Sequence, residues 1–165
     1  MNPVKIFSLS LLLCLTAFAK AQVCTGSLGD PIINVNFDNG LNGTTNYTYT
    51  SGTPNDGLYT ITSTTNGMYS SWWHITDHTG NPGGKMMVVN ASISKTDYFY
   101  KQTISGLCPC ITYEFAAWLL NLVKVGEILT NITFSVQTAD GVVKTYATGD
   151  IPNSPDGTFT KYGIF

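Results

Sequence analysis

Short apolar–polar runs separated by Gly, Asn, Asp and Pro clusters fill the chain from Gln22 onward. Ile33, Val35 and Phe37 alternate with Asn34 and Asn36, the two-residue period of a half-buried strand, and Asp38-Asn39-Gly40 closes that run. Residues 47–50 read as a strand, Pro54-Asn55-Asp56-Gly57 as a turn and residues 58–62 as the next strand. Asn81-Pro82-Gly83-Gly84 is a turn ahead of an apolar run at 86–89. Tyr98-Phe99-Tyr100 leads into Gln102-Thr103-Ile104. Residues 132–136 are strand-like, and Asp140-Gly141 is a hairpin signal before residues 142–146. The last run, residues 159–165, reads as a strand within which the sequence stops.

One stretch has no clear period. Residues 113–122 are apolar on both alternating faces, which suits either a short buried helix or a strand covered on both sides. Its β-rich surroundings and the preceding Pro109 favour the strand. Many short strands spaced by turn residues predict an all-β, antiparallel β-sandwich occupying residues 22–165 as one domain.

Residues 1–21 stand outside that pattern. Lys5 precedes an apolar run over residues 6–18, and Ala19-Lys20-Ala21 has the small-x-small form of a cleavage site. These are the parts of a secretory signal peptide, and the run falls short of the ~20 residues a spanning helix needs. The sequence thus predicts export to the cell surface or beyond, with no membrane span after signal removal.

Charge narrows the function classes. The chain holds 10 acidic residues and eight Lys but no Arg, and its formal net charge is −2. Such a chain cannot displace many phosphate counterions, so nucleic acid is excluded as a partner class. An apolar fraction of 43% is too high for a disordered chain. After the signal, Cys24, Cys108 and Cys110 remain as disulfide candidates in an oxidising compartment. Cys108-Pro109-Cys110 is too tight to bridge its own ends easily, so Cys24 with one of them is the expected pair. The leftover thiol and the strand at 159–165 both point to a domain whose final strands are missing from this sequence.

Several strings recur together: Cys24-Thr-Gly-Ser-Leu-Gly-Asp-Pro-Ile32, Pro54-Asn-Asp-Gly57, Asp77-His-Thr-Gly80, Val89-Asn-Ala91, Gly106-Leu-Cys-Pro109, Thr112-Tyr-Glu-Phe-Ala-Ala-Trp118 and Thr148-Gly-Asp-Ile-Pro152. In this order they resemble the N-terminal module of large Bacteroidetes surface proteins linked with gliding motility and type IX secretion. The resemblance implies a galactose-binding-like jelly roll, related to MAM domains and carbohydrate-binding modules. It also implies that adhesion repeats and a sorting domain follow in a longer protein. Relatives commonly carry cysteines at the positions of Thr53 and near Met68, and this chain has neither. A structural calcium is implied as well, with Asp38 and Asp77 at its first two ligand positions and its remaining acids beyond Phe165. Read from their own neighbours, Asp38 opens an Asn-Gly turn and Asp77 caps a loop.

The densest candidate chemistry is Trp72-Trp73-His74-Ile75-Thr76-Asp77-His78. Aromatic faces stack on sugar rings, and Trp73, Trp72, His74 and His78 are the candidate ligand-binding residues. Adjacent strand residues point to opposite faces, so one tryptophan is expected to plug the core and the other to reach the rim. His74 and His78 have the spacing of metal ligands on one helical turn, but Thr, Gly and Asn around them oppose a helix and no third ligand is near. No carboxylate pair, nucleophile elbow or phosphate loop marks a catalytic site. The expected function is therefore a non-catalytic surface binding or adhesion module directed at glycans. The alternatives are an architectural module of a large surface protein and an accessory domain of a secreted polysaccharide-degrading enzyme.

Overall fold

The computed structural model describes residues 31, 33–93, 98–108, 111–126, 129–139 and 141–164, with Val142 and Val143 described through their backbone alone. The predicted signal peptide at 1–21, Cys24 and Cys110 lie outside the described residues. Among those described the chain is all-β and contains no helix. Among the described residues, therefore, no helix is long and apolar enough to cross a membrane.

The strands are β1 (Thr48–Tyr49), β2 (Leu58–Thr62), β3 (Met86–Val89), β4 (Phe115–Leu119), β5 (Thr130–Thr138), β6 (Gly141–Ile151) and β7 (Thr160–Ile164). They form three small sheets, ordered β1-β2-β3, β4-β7 and β5-β6. All pairings are antiparallel except the two-residue contact of β1 with β2.

Local chemistry explains the best-predicted elements. The turn before β2 closes through the Leu58 amide on the Asn55 carbonyl at 2.9 Å. The turn before β3 closes through the Gly84 amide on the Asn81 carbonyl at 2.9 Å. Pro82 presets one turn torsion there, and Gly83 supplies the left-handed one at φ +76. In β3 the side chains alternate in burial, with Met86 and Val88 inward. The β5–β6 register runs to Thr138↔Gly141, so the hairpin closes over positions 139–140, of which Asp140 is outside the described residues.

Two predicted runs are not strands. In 33–37 the ladder gives way to local bonds. The Asn36 carboxamide donates to Asp38 at 2.9 Å, and the Gly40 amide donates to the Phe37 carbonyl at 2.9 Å. Residues 98–104 make only one bridge, Thr44↔Lys101, before the chain moves on. The aperiodic stretch 113–122 does contain a strand, β4, yet it is not covered on both sides. Phe115 is 39% exposed and Trp118 is 48% exposed. One face reaches the hairpin through an edge-on Phe115–Phe134 contact at 5.6 Å, and the other carries Trp118 outward.

The core is built on Trp72, Met86 and Val88, with Met68, Ile75, Leu122, Val123 and Phe159 packed around them. Trp72 bridges Val123, the Trp73 amide donates to the Leu122 carbonyl at 2.8 Å, and the Lys124 amide donates to the Ser71 carbonyl at 3.0 Å. These bonds tie the Trp-Trp segment to the connection after β4.

Candidate functional site

The Trp72–His78 segment emerges from that core as one wall of an open groove of about 460 Å³. Thr64 and Asn66 line one end, residues 74–78 run along it, and Gly157, Thr158 and Phe159 form the facing wall.

Thr65 sets the first wall. Its side chain is fully buried, and its hydroxyl donates to the Trp73 carbonyl at 2.6 Å while accepting the Ile75 amide at 2.9 Å. Its own amide donates to the Ile75 carbonyl at 3.0 Å. Clamped at 73 and 75, the backbone presents His74 to solvent between them.

Although they lie outside the strands, the two tryptophans turn to opposite sides of the chain, as neighbours in extended backbone do. Trp72 is 7% exposed, with Tyr69 edge-on at 4.9 Å, so its face is spent on the core. Trp73 is half-buried, and its indole N–H donates to the Ser154 carbonyl at 3.1 Å. Lys124 lies 5.6 Å over its ring, and Gly157 sits so close that a Cβ there would meet the ring at 3.3 Å. Trp73 therefore braces the 154–158 loop and is not an open platform.

The exposed aromatic surface comes from a residue outside the Trp72–His78 candidate cluster. Trp118 on β4 stacks on His78, with centroids 3.9 Å apart and planes 29° apart, and Phe159 lies 5.5 Å from the same imidazole. Trp118, His78 and Phe159 thus form an aromatic rim at the groove. The same face of β4–β7 holds Ala116 beside Gly163, and beyond them the surface ion pair Lys161–Glu114 at 2.7 Å.

The facing wall depends on a carboxylate. Hydroxyl hydrogen bonds from Thr158 and Ser154, then the Thr158 backbone amide, hold the exposed Asp156 carboxyl below its ordinary value of 3.8. A depressed folded-state value means that the contribution to loop order is intact above 3.8 and is lost as pH falls below it, through the folded-state value. The Thr158 amide resonance of the wild type should titrate in that acid window with loss of exchange protection. Asp156→Asn should show the weakened protection already at neutral pH. A Thr158 amide indifferent to both changes would contradict the assignment.

Asp38 and Asp77 flank the same backbone step. Asp38 accepts the Lys85 amide at 2.8 Å and the Asn36 carboxamide at 2.9 Å, and Lys85 Nζ donates to the Asp38 carbonyl at 3.0 Å. Asp77 accepts both the amide and the hydroxyl of Thr79, and its carboxylate fills the space where a Cβ on Gly84 would lie. Calcium takes six to eight oxygens, and two carboxylates already engaged by N–H and O–H donors fall short of that set. Among the described residues no three of His, Cys, Asp and Glu come together to hold a metal, His74 and His78 included. Cys108 is disulfide-bonded, and since Cys14, Cys24 and Cys110 all lie outside the described residues, so does its partner.

Comparisons with protein-family models, curated proteins and solved structures return no match.

Proposed function

We propose that this protein is an exported, non-catalytic β-sandwich module of jelly-roll type that binds glycans in the groove between residues 74–78 and the 157–159 wall. The observation that carries this reading is the His78–Trp118 stack at the groove rim, with Trp118 still 48% exposed. An exposed indole already stacked against a neighbouring ring offers a sugar ring flat apolar contact at a reduced ordering cost. Next to it, Asn66, His74, Asp77 and Thr158 supply donors and acceptors for hydroxyl groups along an open groove. The signal-peptide pattern of residues 1–21 and the resemblance to surface modules support the same setting.

A glycan array probed with the wild-type protein tests the reading. Selective hits are expected, and Trp118→Ala should reduce them at least tenfold, equivalent to about 1.4 kcal/mol. Trp118 is a surface residue, so near-UV circular dichroism should still report a folded protein. A flat array from folded wild-type protein would leave the architectural module as the better account.

A further inference from the structure

The sequence holds three Asn-Gly pairs: Asn39-Gly40, Asn42-Gly43 and Asn66-Gly67. In such a pair no Cβ shields the glycine nitrogen, so that nitrogen can attack the neighbouring carboxamide. The fold treats the three pairs differently.

The Gly40 amide donates to the Phe37 carbonyl at 2.9 Å, which engages the attacking nitrogen. At the second pair the Asn42 carbonyl accepts the Tyr100 hydroxyl at 2.7 Å. Gly43 there packs so tightly that a Cβ would lie 2.6 Å from the Lys101 carbonyl oxygen and 2.9 Å from the Tyr100 ring. That backbone is clamped. The third pair sits at the centre of a turn closed by the Met68 amide on the Thr65 carbonyl at 3.1 Å, which leaves the Gly67 nitrogen itself unengaged. Gly67 sits at φ +83 with nothing within 4 Å of a Cβ position. Its amide donates to no group among the described residues. Asn66 is exposed and held by its backbone amide on Thr64 Oγ1 at 3.1 Å, leaving its carboxamide without a partner among the described residues.

We propose that Asn66 is a site of spontaneous modification, converted through a succinimide to aspartate or isoaspartate at the end of the groove. The Gly67 nitrogen gives up its proton to base and bonds to the Asn66 side-chain carbonyl carbon. The carboxamide nitrogen leaves as ammonia. Water then adds to one of the two imide carbonyls and opens the ring. One water is consumed, one ammonia is released, and no oxidant or reductant is needed. The product puts a new carboxylate in the groove that Asp77 also lines. The isoaspartate form also lengthens the backbone next to Thr65, the residue that clamps positions 73 and 75. The modification does not depend on which ligand the groove takes.

The test is a chymotryptic peptide map of the folded protein after incubation at mildly alkaline pH, beside the same protein unfolded in urea. A hydrogen bond that must break before attack slows the step about fivefold, the equivalent of ~1 kcal/mol. In the folded protein Asn66 should therefore convert at least about fivefold faster than Asn39 or Asn42. In urea the three rates should converge. Equal native rates, a faster Asn39 or Asn42, or an Asn66 preference that persists unchanged in urea would each overturn the proposal.

Discussion

Trp72→Ala is expected to remove about 3–5 kcal/mol of stability, the cost of deleting a fully packed indole and leaving its cavity. For a domain with typical stability, this is a large share of the total. The size of the loss follows from the position of the side chain. Trp72 is 7% exposed and forms the central cluster with Met86 and Val88 from β3. Its backbone also bridges Val123, so the side chain and the strand contact fail together. Urea unfolding should show a lower midpoint with little change in slope, and Trp72→Phe should recover part of the loss. Because the groove wall at 74–78 continues directly from this residue, the variant should also lose glycan hits. In that case the cause is the collapsed wall, whereas Trp118→Ala acts on a folded protein. A loss below about 1 kcal/mol would mean that the indole does not organise the core.

Much of the β framework can be read in the sequence because turn chemistry and two-residue periodicity are local. Asn55-Asp56-Gly57 and Pro82-Gly83-Gly84 position β2 and β3 within the predicted bounds. The runs at 33–37 and 98–104 have a similar pattern but join no sheet among the described residues, the second making only the Thr44↔Lys101 bridge, and a strand pattern cannot reveal its partner. The division between Trp72 and Trp73 follows from alternation, but the sequence does not say which of the two faces inward. That choice is made by Met86 and Val88, on another strand. Thr65 reads as a loop residue within Ser63-Thr64-Thr65-Asn66-Gly67, and nothing in that string announces a buried hydroxyl joining 73 to 75. Trp118 lies in a run that is apolar on both faces, so periodicity gives its side chain no direction. Its contact with His78 joins β4 to a loop far away in sequence, a long-range event that no short motif encodes.

Gly163→Val should break the β4–β7 pair while sparing the β5–β6 hairpin. Gly163 faces Ala116 across the ladder. A Cβ at 163 would meet the Ala116 Cβ at 2.7 Å, the Phe115 carbonyl oxygen at 2.9 Å and the Ala116 Cα at 3.1 Å. Two of these are backbone atoms, so no side-chain rotation relieves the contact and the strands must part. Overpacking of this kind costs about 3 kcal/mol, and the branched valine adds bulk to the same gap. Hydrogen exchange should rise in residues 115–119 and 160–164 and remain slow in 130–138. Trp118 would then lose the sheet that presents it, and ligand binding should fall along with the pairing. The milder Gly163→Ala separates the clash from any general intolerance of this strand to mutation. Combined with Ala116→Gly, it moves the methyl group from one strand to the other and removes the closest contact. The double variant should recover part of the stability that Gly163→Ala loses, as a favourable coupling in a double-mutant cycle. Additive losses would mean that Gly163 is needed for something other than its fit against Ala116.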